Sequence, residues 1–144
     1  MPRTDWQASA SLDTLRQRAD LLGQIRSFFN GRDVLEVDTP VLGMHGVTDL
    51  HLNCVEATVN AQTRFLQTSP EYYMKRLLAQ GIGAIYYLGK VFRDEEQGLR
   101  HLPEFTLLEW YRPQWHEQQL MAEVREFITA VTPHPLAVNS ITYG

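Results

Sequence analysis

Apolar residues recur near the start of the chain at spacings of three and four: Leu12, Leu15, Ala19, Leu22, Ile25 and Phe29. That period puts them on one face of a helix. Ser11 or Ser9 can cap its start, and Asn30 and Gly31 end it, Gly31 being suited to the left-handed conformation common at helix ends. From Asp33 to Asp38 the period falls to two, with Val34, Glu36 and Asp38 alternating against Leu35 and Val37; this predicts a short strand, stopped by Thr39-Pro40. Residues 43–49 read as a loop. The β-branched and apolar residues from Leu50 to Phe65 predict two strands, LHLNCVEATV and TRFLQT, joined near Asn60. Ser69, Pro70 and Glu71 then form a helix start, with a capping serine, a proline at the first helical position and an acid in the first turn. The helix YYMKRLLAQ follows and Gly81 ends it. Apolar Ala84 to Leu88 predicts a buried strand that Val91, Phe92 and Arg93 continue. A second strand runs through EFTLLEWY, and a last helix spans residues 117–131, with Leu120, Val124, Phe127, Ile128 and Val131 on one face and Pro133 and Pro135 closing it. The pattern is α+β, an antiparallel sheet with helices on one side.

Composition narrows the class. With 144 residues, 44% of them hydrophobic and 21% charged, the chain has the make-up of an ordinary soluble globular domain. No apolar run approaches the roughly 18 residues of a membrane helix, and MPRTDWQASAS lacks the apolar segment of a signal peptide, which points to the cytoplasm. The net charge of -4 argues against an extended nucleic-acid footprint. The one cysteine, Cys54, cannot form an internal disulfide and reads as a small buried strand residue. His45 and His51 have no matching acid or cysteine pattern, so no metal site is expected there.

The stretch VFRDEEQGLRHLPEFTLLEWY concentrates the candidate chemistry. In a strand, alternate side chains share a face, so Phe105, Leu107, Glu109 and Tyr111 point one way. A carboxylate placed among apolar neighbours is costly to bury unpaired; Glu109 therefore faces a solvated cleft or meets a cation, either a bound ammonium group or an arginine such as Arg93. Arg93 ends the preceding strand with Glu95 two residues on. Its guanidinium offers planar donors to phosphate, which a nearby carboxylate could orient. Bland roles stand beside these. Glu71 is what a first helical turn prefers, Phe105 and Tyr111 serve as core aromatics, His101 as a structural histidine, and Lys75 and Arg76 as surface charge.

These residues match a known pattern. FRDEE, a short loop and then HLPEFTLLEWY resemble motif 2 of the class II aminoacyl-tRNA synthetases, in the lysyl branch. FFNGRDVLEVDTPVL resembles motif 1, and TSPEYYMKRLL is similar to the amino-acid-binding segment of that branch. GVTDLHL after motif 1 and EFTLLEWYRP at motif 2 are most similar to the paralogues that add lysine to elongation factor P. The resemblance runs from about Trp6 to Val131, with motif 1 near 26–42 and motif 2 near 89–111.

The resemblance implies a class II synthetase-like antiparallel sheet flanked by helices, and an ATP-dependent ligase that activates lysine or β-lysine as an adenylate. Arg93 would be catalytic, holding the α-phosphate of ATP. Glu95, His101, Leu102 and Phe105 would complete the nucleotide site, with His101 near the outer phosphates, Phe105 stacked on adenine, and Mg2+ accompanying ATP. Ser69, Pro70, Glu71, Glu109 and Tyr111 would bind the amino acid, their carboxylates drawing its two ammonium groups. The implied acceptor is a lysine of elongation factor P, and motif 1 implies a homodimer. Two departures stand out. Leu102 occupies a place where the family usually has asparagine, so any nucleotide contact there comes from backbone. Motif 3 has no counterpart, so the chain reads as one incomplete catalytic domain, weakly active or inactive alone. Only about ten residues precede the first helix, without the barrel of roughly 100 residues, an OB-type fold, that a lysyl-tRNA synthetase carries there, which makes tRNA an improbable partner. The competing readings are a lysyl-tRNA synthetase catalytic fragment and a non-catalytic class II-like dimerisation or binding module.

Overall fold

The computed structural model describes residues 6, 8–94, 98, 101–134 and 137–141. The chain divides into two compact units: residues 1–32 with 115–144, and residues 33–114. No helix among the described residues is long and apolar enough to cross a membrane.

The first unit contains α1 (Leu12–Asn30) and α3 (Glu117–Val131). Ser11 caps α1 by accepting from the Thr14 N–H at 3.1 Å. Burial is concentrated in the last turns, at Ile25, Phe28 and Phe29. Leu12 and Leu15, by contrast, are 71% and 44% exposed. The apolar stripe read from the sequence is thus real, yet only its second half is covered. Phe28 and Phe29 set their rings against Phe127 of α3 at 5.3 and 5.8 Å between centroids. Arg32 lies over the Phe28 ring and pairs with Glu126 at 2.9 Å, closing the same seam. Gly31 departs from expectation: its φ of -68° is right-handed. The left-handed residue is Asp33, φ 53°, which a short polar side chain tolerates. Pro135, read as part of the stop after α3, lies outside the described residues.

The second unit holds two three-stranded sheets, β1-β5-β6 and β2-β4-β3 in spatial order. Their strands are β1 (Leu35–Glu36), β2 (Leu42–Gly43), β3 (Glu56–Val59), β4 (Gln62–Leu66), β5 (Ile85–Phe92) and β6 (Glu104–Tyr111), and α2 (Glu71–Ala79) lies between β4 and β5 in the chain. The antiparallel expectation holds for β5 with β6 and for the whole second sheet. It fails at β1, which runs parallel to β5 with Leu35 opposite Ile85. The chain makes a long excursion through the second sheet and α2 before returning to that edge, the kind of connection parallel pairing requires. The predicted strand 33–38 shrinks to Leu35–Glu36, both exposed, and the buried Val34 and Val37 flank it, one from each expected face.

A buried cluster of Val37, Met74, Ile85, Tyr87 and Val91 forms the core, with Leu77, Leu78, Phe105, Leu107 and Tyr111 packed against it. Gln67 joins the two sheets. Its N–H donates to Val41 O at 2.9 Å and its carbonyl accepts from Phe92 N–H at 2.8 Å. Its side-chain amide donates to Tyr87 Oη at 2.7 Å and Lys90 O at 3.1 Å while accepting from Thr39 Oγ1 at 3.2 Å. Every polar atom of that buried amide is satisfied. Tyr87 bends along its strand over Gly89, where an added Cβ would stand 2.5 Å from the phenol oxygen. Glycine is therefore the residue that lets Tyr87 reach Gln67.

Candidate functional site

The amino end of α2 meets the end of β6. Pro70 has helical dihedrals, φ -76° and ψ -1°, so it acts as the first residue of the turn and Ser69 as its cap. The Ser69 Oγ accepts from the Glu71 N–H at 3.1 Å and donates to Glu109 Oε2 at 2.7 Å. Tyr111 donates to the other oxygen, Oε1, also at 2.7 Å. Glu109 is thus held by two hydroxyls rather than by Arg93. The Tyr111 phenol is pushed well above its ordinary value, first by burial and then by its hydrogen bond to Glu109 and the charges of Glu109 and Glu71. Glu71 pairs with Lys75 one turn along the helix at 2.6 Å. That contact, and the charge of Glu109 nearby, raise the Lys75 pKa. Pro70 is fully buried and Glu71 half-buried.

A second group forms around Arg93. Its Nε donates to Thr68 O at 3.4 Å, and its guanidinium carbon stands 5.0 Å from the centre of the Phe105 ring. The Arg93 N–H is fixed by Pro103 O at 2.9 Å, which ties the end of β5 to the approach to β6. Thr68 and Ser69 are neighbours in sequence, so one dipeptide touches Arg93 with one residue and Glu109 with the next. His101 and Leu102 lie on the exposed approach to β6, Leu102 being 68% exposed. Glu95 lies outside the described residues. A guanidinium beside an aromatic ring is a donor set that fits a nucleotide's phosphate and base. Among the described residues no group of three or more His, Cys, Asp or Glu could hold a metal ion; a magnesium ion carried on nucleotide phosphates needs only one or two carboxylates.

Beside Ser69 and Glu71 lies a cavity of about 220 Å³. Sequence reasoning gave no site role to other residues of its lining, the segment Gly46–Asp49 together with Cys54 and, on α2, Tyr72. The segment has no period and read as a loop, and although GVTDLHL carried part of the family resemblance it was given no role at the site. Its available signal was compositional, since Thr48 and Asp49 put polar groups between Val47 and Leu50. Cys54 also departs from its expected place. It is half-buried outside any strand, and its Sγ accepts from the Val47 N–H at 3.3 Å. His45 lines the cavity while His51 is exposed.

The antiparallel β5–β6 pair thus carries Glu109, with Arg93 just past the end of β5, beside the helix start that presents Glu71. The sequence profile of the class II tRNA synthetases (D, K and N) matches residues 3–140, and the chain belongs to that family. Its curated relatives include the "Elongation factor P--(R)-beta-lysine ligase" of Haemophilus influenzae (strain PittGG), 49% identical over 144 aligned residues, which cover 96% of this chain and 44% of that protein. Proteins of the same name from Hamiltonella defensa and Histophilus somni are 49% and 50% identical over 88% and 85% of the chain. The chain spans less than half the length of these relatives.

Proposed function

We propose that this chain supplies the amino-acid pocket and the motif 2 arginine of an ATP-dependent ligase, cytoplasmic in location, that activates lysine or β-lysine and passes it to a lysine of elongation factor P rather than to tRNA. The observation that carries the reading is the carboxylate pair at the mouth of α2. Glu71 lines the cavity and pairs with Lys75, and Glu109 accepts from the hydroxyls of Ser69 and Tyr111, so two carboxylates meet at the start of α2, where they would draw the ammonium groups of a cationic amino acid. The names of the relatives support the substrate and acceptor.

In this reading the substrate carboxylate attacks the α-phosphorus of ATP and pyrophosphate leaves, giving an acyl adenylate. The acceptor amine then attacks the carbonyl carbon, loses its proton, and AMP departs. Arg93 sits beside the half-buried ring of Phe105, where its fixed charge would stabilise the charge gathering on the α-phosphate. Mg2+ on the phosphates would neutralise the leaving pyrophosphate. Glu95, His101 and Leu102 would complete the nucleotide side, Leu102 through its backbone, and Pro70 would set the entry of α2. The 144 residues by themselves are expected to be weakly active or inactive, since they align with 44% of the Haemophilus influenzae relative.

The test is exchange of pyrophosphate into ATP by the polypeptide carrying this chain, with each lysine isomer. Lysine-dependent exchange that disappears in Arg93→Ala is expected. Exchange that persists in Arg93→Ala, or no exchange together with no saturable binding of either isomer, overturns the reading.

A further inference from the structure

The wall opposite Glu71 is the segment Gly46–Asp49, and side chains from two other places hold it. On one side Cys54 Sγ accepts the Val47 N–H at 3.3 Å. Gly46 lies so close to this anchor that an added Cβ would stand 3.3 Å from both Cys54 Sγ and the Phe65 ring. On the other side Thr48 Oγ1 and Tyr72 Oη share a hydrogen bond of 2.8 Å. Tyr72 belongs to α2 and directly follows Glu71, so the wall is tied to the same helical turn that presents the carboxylate. Gly46, Val47, Thr48, Cys54 and Tyr72 all line the cavity together with Ser69 and Glu71.

We propose that Cys54 and Tyr72 are positioning residues that set the width of the amino-acid cavity and hence its choice among cationic amino acids of different length. The inference rests on the ligase reading of this pocket. The two bonds act in different ways. The thiol fixes a backbone N–H, which determines how far Val47 stands from the β4 side of the cavity. The phenol fixes a side chain, which determines how far Thr48 stands from Glu71. Loss of either leaves Glu71 in place but loosens the rest of the cavity that it lines, so a ligand held between wall and carboxylate loses definition at one end. An overlong or short diamino acid then competes better with the preferred one.

The experiment compares Cys54→Ala, Cys54→Ser, Tyr72→Phe and Thr48→Val with the unchanged protein, by calorimetric titration of α-lysine, β-lysine and ornithine and by KM values in pyrophosphate exchange. Loss of one neutral hydrogen bond corresponds to about a fivefold change in affinity. Cys54→Ala, Tyr72→Phe and Thr48→Val should each weaken the preferred lysine by about that factor, narrow its advantage over ornithine, and leave the KM for ATP unchanged. Cys54→Ser, whose hydroxyl can still accept the Val47 N–H, should restore most of the loss. The proposal is overturned if the lysine-to-ornithine ratio is the same in all variants. It is equally overturned if serine and alanine at position 54 behave alike, or if the KM for ATP rises in step with that for lysine. Failure of the unchanged protein to saturate with any of the three amino acids sinks the ligase reading itself and this inference with it, an outcome distinct from unchanged ratios in a protein that does bind.

Discussion

At the scale of single residues, the Ser69–Glu109–Tyr111 chain makes a claim about pH. The Tyr111 phenol has a folded-state pKa raised above the ordinary value near 10, chiefly by burial. Tyr87 is raised too, again mainly by burial, with the charge of Asp38 adding to it and the hydrogen bond from Gln67 opposing it. A raised acid keeps its proton in the folded state while the unfolded chain gives it up. Both phenols therefore stabilise the fold fully below about pH 10, and their contribution is lost as pH rises from there through the folded-state values. Tyr111→Phe should flatten the fall of stability above about pH 10 while leaving its slope between pH 7 and 9 unchanged. Urea midpoints across that range, with absorbance of the phenolate to follow ionisation, measure it. An identical slope above pH 10 in the variant would show that Tyr111 ionises as freely folded as unfolded.

At the scale of elements, the β3–β4 hairpin turns on Asn60 and Ala61, whose φ angles are 52° and 59°. Two positive values in a two-residue loop define the turn that matches the twist of the flanking strands. Asparagine tolerates that conformation; alanine carries a penalty of about 1 kcal/mol there. Ala61→Gly should therefore raise the stability of the unit by roughly 0.5–1 kcal/mol, although glycine also gains freedom in the unfolded chain. Chemical denaturation reads the change, and a destabilised variant would mean that Ala61 contributes contacts outweighing the backbone strain. This hairpin was legible in the sequence because β-branched residues flank an asparagine. The ends of α3 and the face shared by Phe105, Glu109 and Tyr111 were legible for the same reason, a period that spans enough residues to be unambiguous. The parallel pairing of β1 was not, since the period of two over residues 33–38 announces a strand but not its partner, which lies about fifty positions away. Nor was the wall at Gly46–Asp49, which is held by Cys54 and Tyr72 through contacts that leave no repeat in the chain. Glu109 could be named from the motif 2 stretch and Glu71 from TSPEYYMKRLL, but the hydroxyls that hold Glu109 emerged only when α2 and β6 met.

At the scale of the whole molecule, the uncovered half of α1 sets the question. Among the described residues, this helix of 19 residues buries only Ile25, Phe28 and Phe29 and leaves the first half of its apolar stripe uncovered. Leu12 and Leu15, the first two members of that stripe, are both exposed. The stripe continues that of the buried turns at helical spacing, which scattered surface leucines would not do. We propose that a second copy of the chain covers it, consistent with the motif 1 segment that follows α1. The expected result is a light-scattering mass of two chains at micromolar concentration. The pair Leu12→Glu and Leu15→Glu should shift that mass to one chain, because two carboxylates per helix would have to be desolvated at the interface. Both positions are far along α1 from the Phe28, Phe29 and Phe127 contacts, so far-ultraviolet circular dichroism of the variant should keep its helical signal. A single-chain mass for the unchanged protein would mean that no second copy covers α1, and a two-chain mass that survives both substitutions would place the contact elsewhere; either leaves the first turns of α1 facing solvent.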